Sequence, residues 1–263
     1  MPSEGIKVLG MGEDPALAAY ESFAAIYNEF NHLNDYEMWL GEVLLPELER
    51  HGLRHGRALD VGCGTGRAFG PLLRRGWEVR GCDLSPAMLE RAHKEGEGKV
   101  ELQVADMREL PVLGEFELVL SLNDSVNYLL GDEDLERALG AMGSNLAADG
   151  LLIFDCNAKV TYDTGYSTEV REVEHDGRRW TWRGLGETGA PSTFAARIEG
   201  DDVDPITHRE RYRSEPEVRE AIRAAGLDCL GAFGMQEGEE GVVLAEPADE
   251  ERDYKLVFIA RRA

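Results

Sequence analysis

Hydrophobic and polar positions follow two different periods along this chain. Between residues 15 and 50, apolar side chains recur at steps of three and four, which is the spacing of one helix face. From residue 57 onward, short apolar runs typical of buried strands alternate with amphipathic helical segments. Such alternation predicts a mainly parallel sheet with helices on both of its faces.

Within the alternating region the pattern predicts five strands and three helices. The strands cover residues 57–61, 78–82, 100–104, 116–122 and 150–155, and the helices cover residues 66–75, 85–94 and 132–148. Ser85 is placed to cap the second of these helices, with Pro86 at its first position. Residues 15–50 are predicted to form two more helices, the second starting near Asn34 or Asp35.

After Asn157 the rhythm changes. Four short strands without intervening helices are predicted at residues 167–174, 178–185, 194–199 and 207–213, so we expect them to pair antiparallel. The dipeptide Asp176-Gly177, which is typical of a β-hairpin turn, separates the first two of these strands. A capping box at residues 214–217 then opens a helix that ends at Gly226. The last two predicted strands, 227–234 and 254–260, are separated by an acidic loop at residues 237–253.

These elements predict an α/β fold, with a doubly wound seven-stranded sheet and a small antiparallel β insert after the fifth strand. Residues 1–56 are expected to be a loose leader, over residues 1–14, followed by cap helices. Residues 57–157 would form the main part of the core. Residues 158–213 would form the insert, able to act as a lid over a substrate, and residues 214–263 would complete the core.

The charge of the chain narrows its possible partners. The formal net charge is -23, from 51 acidic and 28 basic residues. Nucleic acids and anionic lipids are bound through Lys and Arg, so neither is an expected partner. A small neutral or cationic substrate fits better, and the sequence does not indicate an oligomeric state.

The location expected for this protein is the cytoplasm. The first residues contain no basic and apolar segments of a signal peptide, and no apolar run approaches the ~20 residues needed to span a membrane. The four cysteines form no C-x-x-C pair, which suits buried free thiols in a reducing compartment.

A glycine-rich loop carries the strongest chemical signal. Gly62, Gly64 and Gly66 follow a predicted buried strand and open a helix, so the backbone can turn sharply and approach a ligand. Asp60 precedes the loop, and Asp83 ends the next strand, where a carboxylate can bind ribose hydroxyls. The alternative is that the glycines serve only a tight turn.

Two cofactor classes are compatible with such a loop. Nicotinamide enzymes place a pyrophosphate at the helix N-terminus and have the spacing G-x-G-x-x-G. This chain has G-x-G-x-G with Asp60 beside it, and Asp106 follows the third strand, where it could accept from an adenine amino group. S-adenosylmethionine (SAM) has no phosphate and carries a sulfonium and an ammonium, which an acidic loop tolerates. The balance favours SAM.

The chain resembles the class I SAM-dependent methyltransferases. Residues 58–66, Ala-Leu-Asp-Val-Gly-Cys-Gly-Thr-Gly, resemble the first motif of that family, and residues 82–89, Cys-Asp-Leu-Ser-Pro-Ala-Met-Leu, resemble the second. Residues 105–108 and 116–119 resemble the two motifs that follow. The resemblance covers roughly residues 15–263, with a poorly matched insert, and implies a Rossmann-like fold, SAM as cofactor and S-adenosylhomocysteine (SAH) as product.

The resemblance also implies roles for the residues at matching positions. The methionine part of SAM would be lined by Gly62, Cys63 and Gly64, with Asp60 near its ammonium end, and Asp83 would take the ribose hydroxyls. Residues expected around the adenine and the sulfonium are Leu84, Met88, Asp106, Met107, Leu122 and Asn123.

The methyl acceptor is expected near the carboxyl ends of the fourth and fifth strands, where ligands bind in open α/β sheets. Polar residues 123–128 and 155–157 lie there. Helix capping is an equally good explanation for the first segment, and both roles can coexist. The histidines have no partners at metal-ligand spacing, so no metal site is predicted.

The layout further resembles methyltransferases that modify amino groups of nucleotide-linked sugars. In that group the leading helix closes over SAM with a tyrosine, which implies a cofactor contact for Tyr20 and Tyr27. Some members carry a His where Tyr128 stands here, which puts a histidine base at that position in doubt. The strand that contains His208 faces the substrate in similar enzymes. We therefore take Tyr128 and His208 as candidate catalytic residues, with structural roles as the alternative.

Methyl transfer from a sulfonium is an in-line displacement that needs alignment and exclusion of water, but no covalent nucleophile. The sequence thus predicts transfer of a methyl group from SAM to a nitrogen or oxygen of a small molecule. Two alternatives stay open: a different kind of transfer from SAM, and a noncatalytic SAM sensor.

Overall fold

The computed structural model describes residues 14–238 and 241–263. The loose leader expected at residues 1–14 lies outside the described residues, apart from Asp14.

Twelve strands are formed by the described residues. They are β1 (Arg57–Val61), β2 (Glu78–Asp83), β3 (Glu101–Val104), β4 (Phe116–Ser121), β5 (Leu146–Asn157), β6 (Val170–His175), β7 (Arg178–Glu187), β8 (Thr193–Gly200), β9 (Val203–Arg211), β10 (Leu227–Gly238), β11 (Gly241–Ala245) and β12 (Lys255–Arg262).

Helices cover both faces of the larger sheet, and the leading helices precede its first strand along the chain. They are α1 (Pro15–Phe23), α2 (Tyr27–Phe30), α3 (Leu45–Arg50), α4 (Phe69–Arg74), α5 (Pro86–Glu95), α6 (Asp134–Gly143), α7 (Lys159–Thr161) and α8 (Glu215–Ala224). Wider π-helical turns occupy Glu37–Leu44 and Tyr162–Tyr166, and 3₁₀ turns occupy Met107–Glu109 and Ser125–Tyr128. In the described ranges, none of these helices has the length and apolar character that crossing a membrane requires.

The larger sheet has the strand order β11-β10-β12-β5-β4-β1-β2-β3. Strands β1 to β5 run parallel, and β12 returns antiparallel to β5. The doubly wound α/β fold is therefore confirmed, but the strand count was wrong, because the sheet has eight strands and not seven. The additional strand β11 lies in the segment predicted as an acidic loop. It pairs with β10 because its apolar side chains Val242 and Leu244 pack on the core.

Alternate side chains of the central strands enter two apolar layers. Leu118 and Leu120 of β4 pack on one face of the sheet, and Val119 packs on the other. This burial on both faces explains the continuous apolar runs that predicted the strands.

The helix ends follow the chemistry expected of them. The Ser85 hydroxyl accepts a hydrogen bond from the Met88 amide at 3.2 Å, with Pro86 in the first turn. The Glu217 carboxylate accepts from the Ser214 amide at 2.7 Å, which completes the predicted capping box.

The insert forms a second, antiparallel sheet with the order β6-β7-β8-β9. Its inner face packs against the leading helices. Trp180 is 1% exposed and meets the ring of Phe30 at a centroid distance of 6.4 Å. The leading helices are thereby held between the insert and the core, above the carboxyl edge of the larger sheet.

Candidate active site

The glycine loop after β1 adopts the conformation for which glycine is needed. The φ angles of Gly62, Gly64 and Gly66 are 73°, 53° and 83°, all in the left-handed region. A Cβ at Gly62 would lie 3.1 Å from the Ser125 hydroxyl oxygen. A Cβ at Gly66 would lie 2.5 Å from the ring of Phe69. The loop therefore packs closely against both the following helix and the segment after β4.

Two carboxyl groups lie beside this loop. One oxygen of Asp83 accepts from the Gly64 amide and the other from the Ser85 amide, each at 2.8 Å. Burial raises the pKa of Asp83, against the lowering effect of these hydrogen bonds. Burial, assisted by the charge of Asp83, raises the pKa of Asp60 to about 8. Both carboxyl groups are therefore protonated more readily than usual, and a cation bound beside the loop would favour their ionised forms.

The loop opens into a cleft of about 820 Å³, part of it open to solvent. Eleven of the fourteen predicted cofactor residues line this cleft: Tyr20, Tyr27, Gly62, Cys63, Gly64, Asp83, Leu84, Asp106, Met107, Leu122 and Asn123. We call this space the cofactor cleft. These residues come from five separate segments of the sequence, and the fold brings them together at one cleft.

Three predicted cofactor residues do not line the cleft. Asp60 is 3% exposed and lies behind the loop. Gly66 lies in the turn that leads into the following helix. Met88 is fully buried in the apolar cluster that contains Phe23 and Trp180. These positions suit residues that support the cleft and do not contact a ligand in it directly.

Residues that the sequence did not single out also line the cofactor cleft. Tyr36 and Arg108 are two of them. The Arg108 guanidinium bonds both oxygens of Asp106 and reaches Asp14, the cap of α1, at 2.6 Å. These bonds outweigh burial and hold the pKa of Asp106 below its usual range. Arg108 therefore ties the Asp106 side of the cleft to helix α1.

A second space of about 1860 Å³, also partly open, adjoins the first. We call it the acceptor chamber. The two spaces share the side chains of Tyr20, Tyr27, Asn123 and Tyr128. Aromatic and acidic residues line the rest of the chamber, among them Phe23, Phe30, Tyr166, Trp182, Glu210 and Asp124.

The two candidate catalytic residues lie together on the chamber wall. The Tyr128 hydroxyl is 2.9 Å from Nδ1 of His208, whose ring is stacked with Trp182 at a centroid distance of 6.1 Å. Burial lowers the pKa of His208 to about 4, so its imidazole is neutral at neutral pH. Burial, with smaller contributions from Tyr20 and Glu210, raises the pKa of Tyr128. A neutral imidazole and a protonated phenol can pass a proton between them.

Glu210 is a buried carboxyl that sequence reasoning missed. It accepts from Asn157 Nδ2 at 2.8 Å, from the Tyr162 hydroxyl at 3.0 Å and from the Tyr166 hydroxyl. Burial, then the charge of Asp124, raises its pKa to about 7. The period of two in β9 was an available signal, because it places Glu210 on the same face as His208.

Comparison with known proteins identifies the family. Residues 58–150 match the profile described as "Methyltransferase domain". A protein of Geobacillus sp. (strain WCH70), named "Putative methyltransferase", is 35% identical over 257 residues, covering 92% of this chain and 99% of that protein. This chain belongs to the SAM-dependent methyltransferase family.

Further similarity comes from a more distant relative and a solved structure. The dTDP-3-amino-3,6-dideoxy-alpha-D-glucopyranose N,N-dimethyltransferase of Streptomyces fradiae is 30% identical over 201 residues, covering 68% of this chain and 73% of that one. A SAM-dependent methyltransferase from Clostridium acetobutylicum ATCC 824 has a TM-score of 0.75 at 20% identity, covering 93% and 99% of the two chains. This second likeness shows the fold.

The predictions of family, enzyme class and cofactor are thereby confirmed. This methyltransferase uses SAM, and the two alternatives of another transfer type or a noncatalytic sensor are set aside. Within residues 14–238 and 241–263, the structure contains no group of three or more His, Cys, Asp or Glu side chains that could hold a metal ion.

Proposed function

We propose that this enzyme transfers the methyl group of SAM to a nitrogen or oxygen of a small molecule held in the acceptor chamber, with nitrogen favoured. The observation that carries the proposal is the wall of Tyr20, Tyr27, Asn123 and Tyr128 shared by the two spaces. A methyl group at this wall could pass from one space to the other without crossing bulk water.

The cofactor cleft supports one orientation of SAM. Asp83 would hold the ribose hydroxyls, since each of its oxygens keeps a further lone pair beyond its bond to a backbone amide. Leu84 and Met107 would flank the adenine. Gly62 and Gly64 leave room for the methionine part, and Leu122 and Asn123 would face the sulfonium.

Bound SAM supplies an activated methyl group whose leaving sulfur already carries positive charge. The chain therefore has to align the acceptor and exclude water. Helix α1 contributes to both, because Tyr20 stands in the shared wall and meets the rings of Tyr128 and His208 at centroid distances of 5.1 and 5.6 Å. The aromatic side chains would bind the apolar faces of a small acceptor.

The charges around the chamber favour a nitrogen acceptor. When a neutral amine attacks, the positive charge of the sulfonium passes to the nitrogen and remains in the chamber. When an oxyanion attacks, the charge is lost. Asp124 and Glu210 border the chamber, and the ammonium of Lys255 faces two carboxyl groups, Asp124 and Asp155. Acidic surroundings stabilise the developing ammonium more than a neutral ether.

An amine arrives protonated at neutral pH and must lose a proton before it attacks. The Tyr128 and His208 pair would take that proton, with Tyr128 nearer the acceptor and His208 behind it. Burial lowers the pKa of His208 to about 4, so its imidazole is neutral and would receive the proton only transiently, as a relay, because the same shift makes it a weaker base than an ordinary histidine.

The proposal is tested with methyl-labelled SAM and a panel of matched acceptors. One pair is dTDP-3-amino-3,6-dideoxyglucose and its 3-hydroxy analogue, and simple primary amines with the corresponding alcohols complete the panel. We expect label in amines, with a mass gain of one methylene unit per transfer. Label confined to hydroxyl compounds would overturn the preference for nitrogen. Failure of SAM to bind would overturn the proposed use of the cleft.

A further inference from the structure

The chain makes an unusual turn directly after β4. The φ angles of Asn123 and Asp124 are 61° and 59°, so two successive residues with side chains are left-handed. This conformation is costly for residues other than glycine, and it persists only where the surroundings hold it in place. We call residues 123 and 124 the left-handed turn.

The left-handed turn stands at the boundary of the two spaces. Asn123 lines both the cofactor cleft and the acceptor chamber, and Asp124 lines the chamber. Asn123 Nδ2 lies 3.4 Å from the Tyr27 hydroxyl. The Ser125 hydroxyl donates to the Leu122 carbonyl at 2.9 Å, and that same hydroxyl packs against Gly62. A shift of the turn would therefore alter the wall at which methyl transfer takes place.

Asp155, in β5, holds the backbone of the turn. One of its oxygens accepts from the Asn123 amide at 2.7 Å, and the other accepts from the Asp124 amide at 2.6 Å. The Asp155 side chain is fully buried. A buried carboxylate needs a nearby positive charge as well as hydrogen bonds.

Lys255, at the start of β12, supplies that charge. Its Nζ lies 3.1 Å from Asp155 Oδ1 and also bonds Asp124 Oδ1. Burial acts to lower the pKa of Lys255, but the two carboxyl groups outweigh it and raise that pKa, so the ammonium is retained. One side chain thus joins the turn, β5 and β12.

We propose that Lys255 is a positioning residue for methyl transfer: by binding Asp124 and Asp155 together it holds the left-handed turn, and so sets Asn123 between SAM and the acceptor. The inference rests on the proposed placement of SAM in the cofactor cleft. Lys255 acts through the turn, which separates its role from that of the Tyr128 and His208 pair.

The test compares the variant Lys255→Met with the control variant Lys99→Met. Lys99 is an exposed lysine that forms an ion pair with Glu97, far from Lys255. SAM affinity is measured by calorimetry, and adenosine affinity by ligand-observed NMR. Backbone exchange in peptides spanning residues 121–129 is followed by mass spectrometry. Adenosine serves as the internal reference because the proposed contacts to its ribose and base, at Asp83 and Leu84, are separate from the turn.

We expect Lys255→Met to raise the Kd for SAM about tenfold, because the strained left-handed turn that positions Asn123 would no longer be held in place. The Kd for adenosine should stay within about twofold of wild type, because distant sites are independent. Amide exchange should rise at the turn and stay unchanged in β1 and β2. Lys99→Met should match wild type in all three measurements.

The double variant Lys255→Met/Asp124→Asn keeps the inference testable if the single variant does not fold. It restores the net charge of the cluster but leaves Asp155 without its cation, so we expect the same selective loss of SAM affinity. SAM binding equal to wild type in a folded variant would overturn the inference, and so would equal losses for SAM and adenosine. If wild type itself fails to bind SAM, the proposed function fails, while faster exchange at the turn would still support the role of Lys255 as its holder, and unchanged exchange would contradict it.

Discussion

The Tyr128 hydroxyl lies 2.9 Å from Nδ1 of His208, and this contact joins the segment after β4 to the small sheet of the insert. The two residues are 80 positions apart in the chain. Their pairing puts a neutral base at the wall between the cofactor cleft and the acceptor chamber.

Removing either member of this pair should slow transfer without weakening SAM binding. We expect Tyr128→Phe and His208→Gln each to lower kcat by roughly 10²-fold, the usual worth of a proton acceptor. The Kd for SAM should change by less than about twofold, since Phe keeps the ring of Tyr128 in the shared wall and His208 lines only the acceptor chamber. Steady-state kinetics and calorimetry give the two numbers. A kcat unchanged in both variants would exclude the pair from proton transfer.

The pH profile of wild type gives a second check on His208. Burial lowers its pKa to about 4, so the base should remain functional well below the pH at which an ordinary histidine becomes protonated. The same lowered pKa predicts how stability depends on pH. The contribution of neutral His208 to the free energy of unfolding is fully present above the ordinary pKa of ~6.5 and is lost as the pH falls toward 4, because in that range the unfolded state binds the proton and the folded state does not. His208→Gln should therefore lose less stability than wild type between pH 6.5 and pH 4 in chemical denaturation.

Asp60→Asn should have opposite effects on stability and on cofactor binding. Burial and the charge of Asp83 raise the pKa of Asp60 from 3.8 to about 8. The stability contributed by the protonated carboxyl is present below its ordinary pKa and is lost as pH rises to about 8. Without ligand, the variant should exceed wild type in free energy of unfolding by an amount that grows over this range to a few kcal/mol, on the order of the shift.

The control for this prediction is Asp149→Asn, because Asp149 is exposed. It should show no such trend. SAM affinity of Asp60→Asn should fall at pH 8, since the negative charge near the ammonium end of SAM is gone. A variant less stable than wild type throughout this pH range would contradict the account of Asp60 as a strained buried carboxyl.

Gly62→Ala should damage the cofactor cleft through both backbone and packing. The φ of 73° disfavours a side chain, and the new methyl group would lie 3.1 Å from the Ser125 hydroxyl oxygen. We expect a loss of SAM affinity of at least about tenfold, equivalent to ~1.4 kcal/mol. Gly140→Ala is the matched control, because this glycine lies inside α6 with open space beside it. That change should stabilise the protein by about 0.5–1 kcal/mol and leave SAM binding intact.

Arg108→Met should loosen helix α1. The guanidinium joins Asp14 at the start of α1 to Asp106 in the wall of the cofactor cleft. The bonds are only partly buried, so the effect on overall stability should be modest, at about 1 kcal/mol. Amide exchange in Pro15–Phe23 should rise, and bound SAM should protect this helix less than in wild type. Unchanged exchange in α1 would mean that other contacts hold the helix.

The sequence predicted the fold and the cofactor because both depend on local patterns. Apolar runs mark buried strands, and the positions of Gly62, Asp83 and Asp106 at strand ends bring them to one edge of a parallel sheet. The strand β11 was missed because acidic residues flank its short apolar run, and it is stabilised by pairing with β10 and by packing of Val242 and Leu244 on the core.

Contacts between distant segments could not be predicted in the same way. Lys255 bonds Asp124 across 131 residues, and no sequence pattern specifies that distance. Glu210 meets the hydroxyls of Tyr162 and Tyr166 only because the insert folds back on itself. Lys255 and Glu210 line the acceptor chamber, and Tyr36 lines the cofactor cleft. Because such contacts join distant segments, the sequence predicted the cofactor but left the identity of the acceptor open.

The most direct test of the account is calorimetric titration of wild type and Asp83→Ala with SAM, with the folding of each checked by thermal denaturation. The central claim is that the carboxyl edge beside Gly62–Gly64 binds SAM through Asp83. It predicts saturable binding by wild type and a loss of at least about 10²-fold in Asp83→Ala, as expected when hydrogen bonds from ligand hydroxyls to a carboxylate are removed. Equal binding by the two folded proteins, or no binding by wild type, would contradict it.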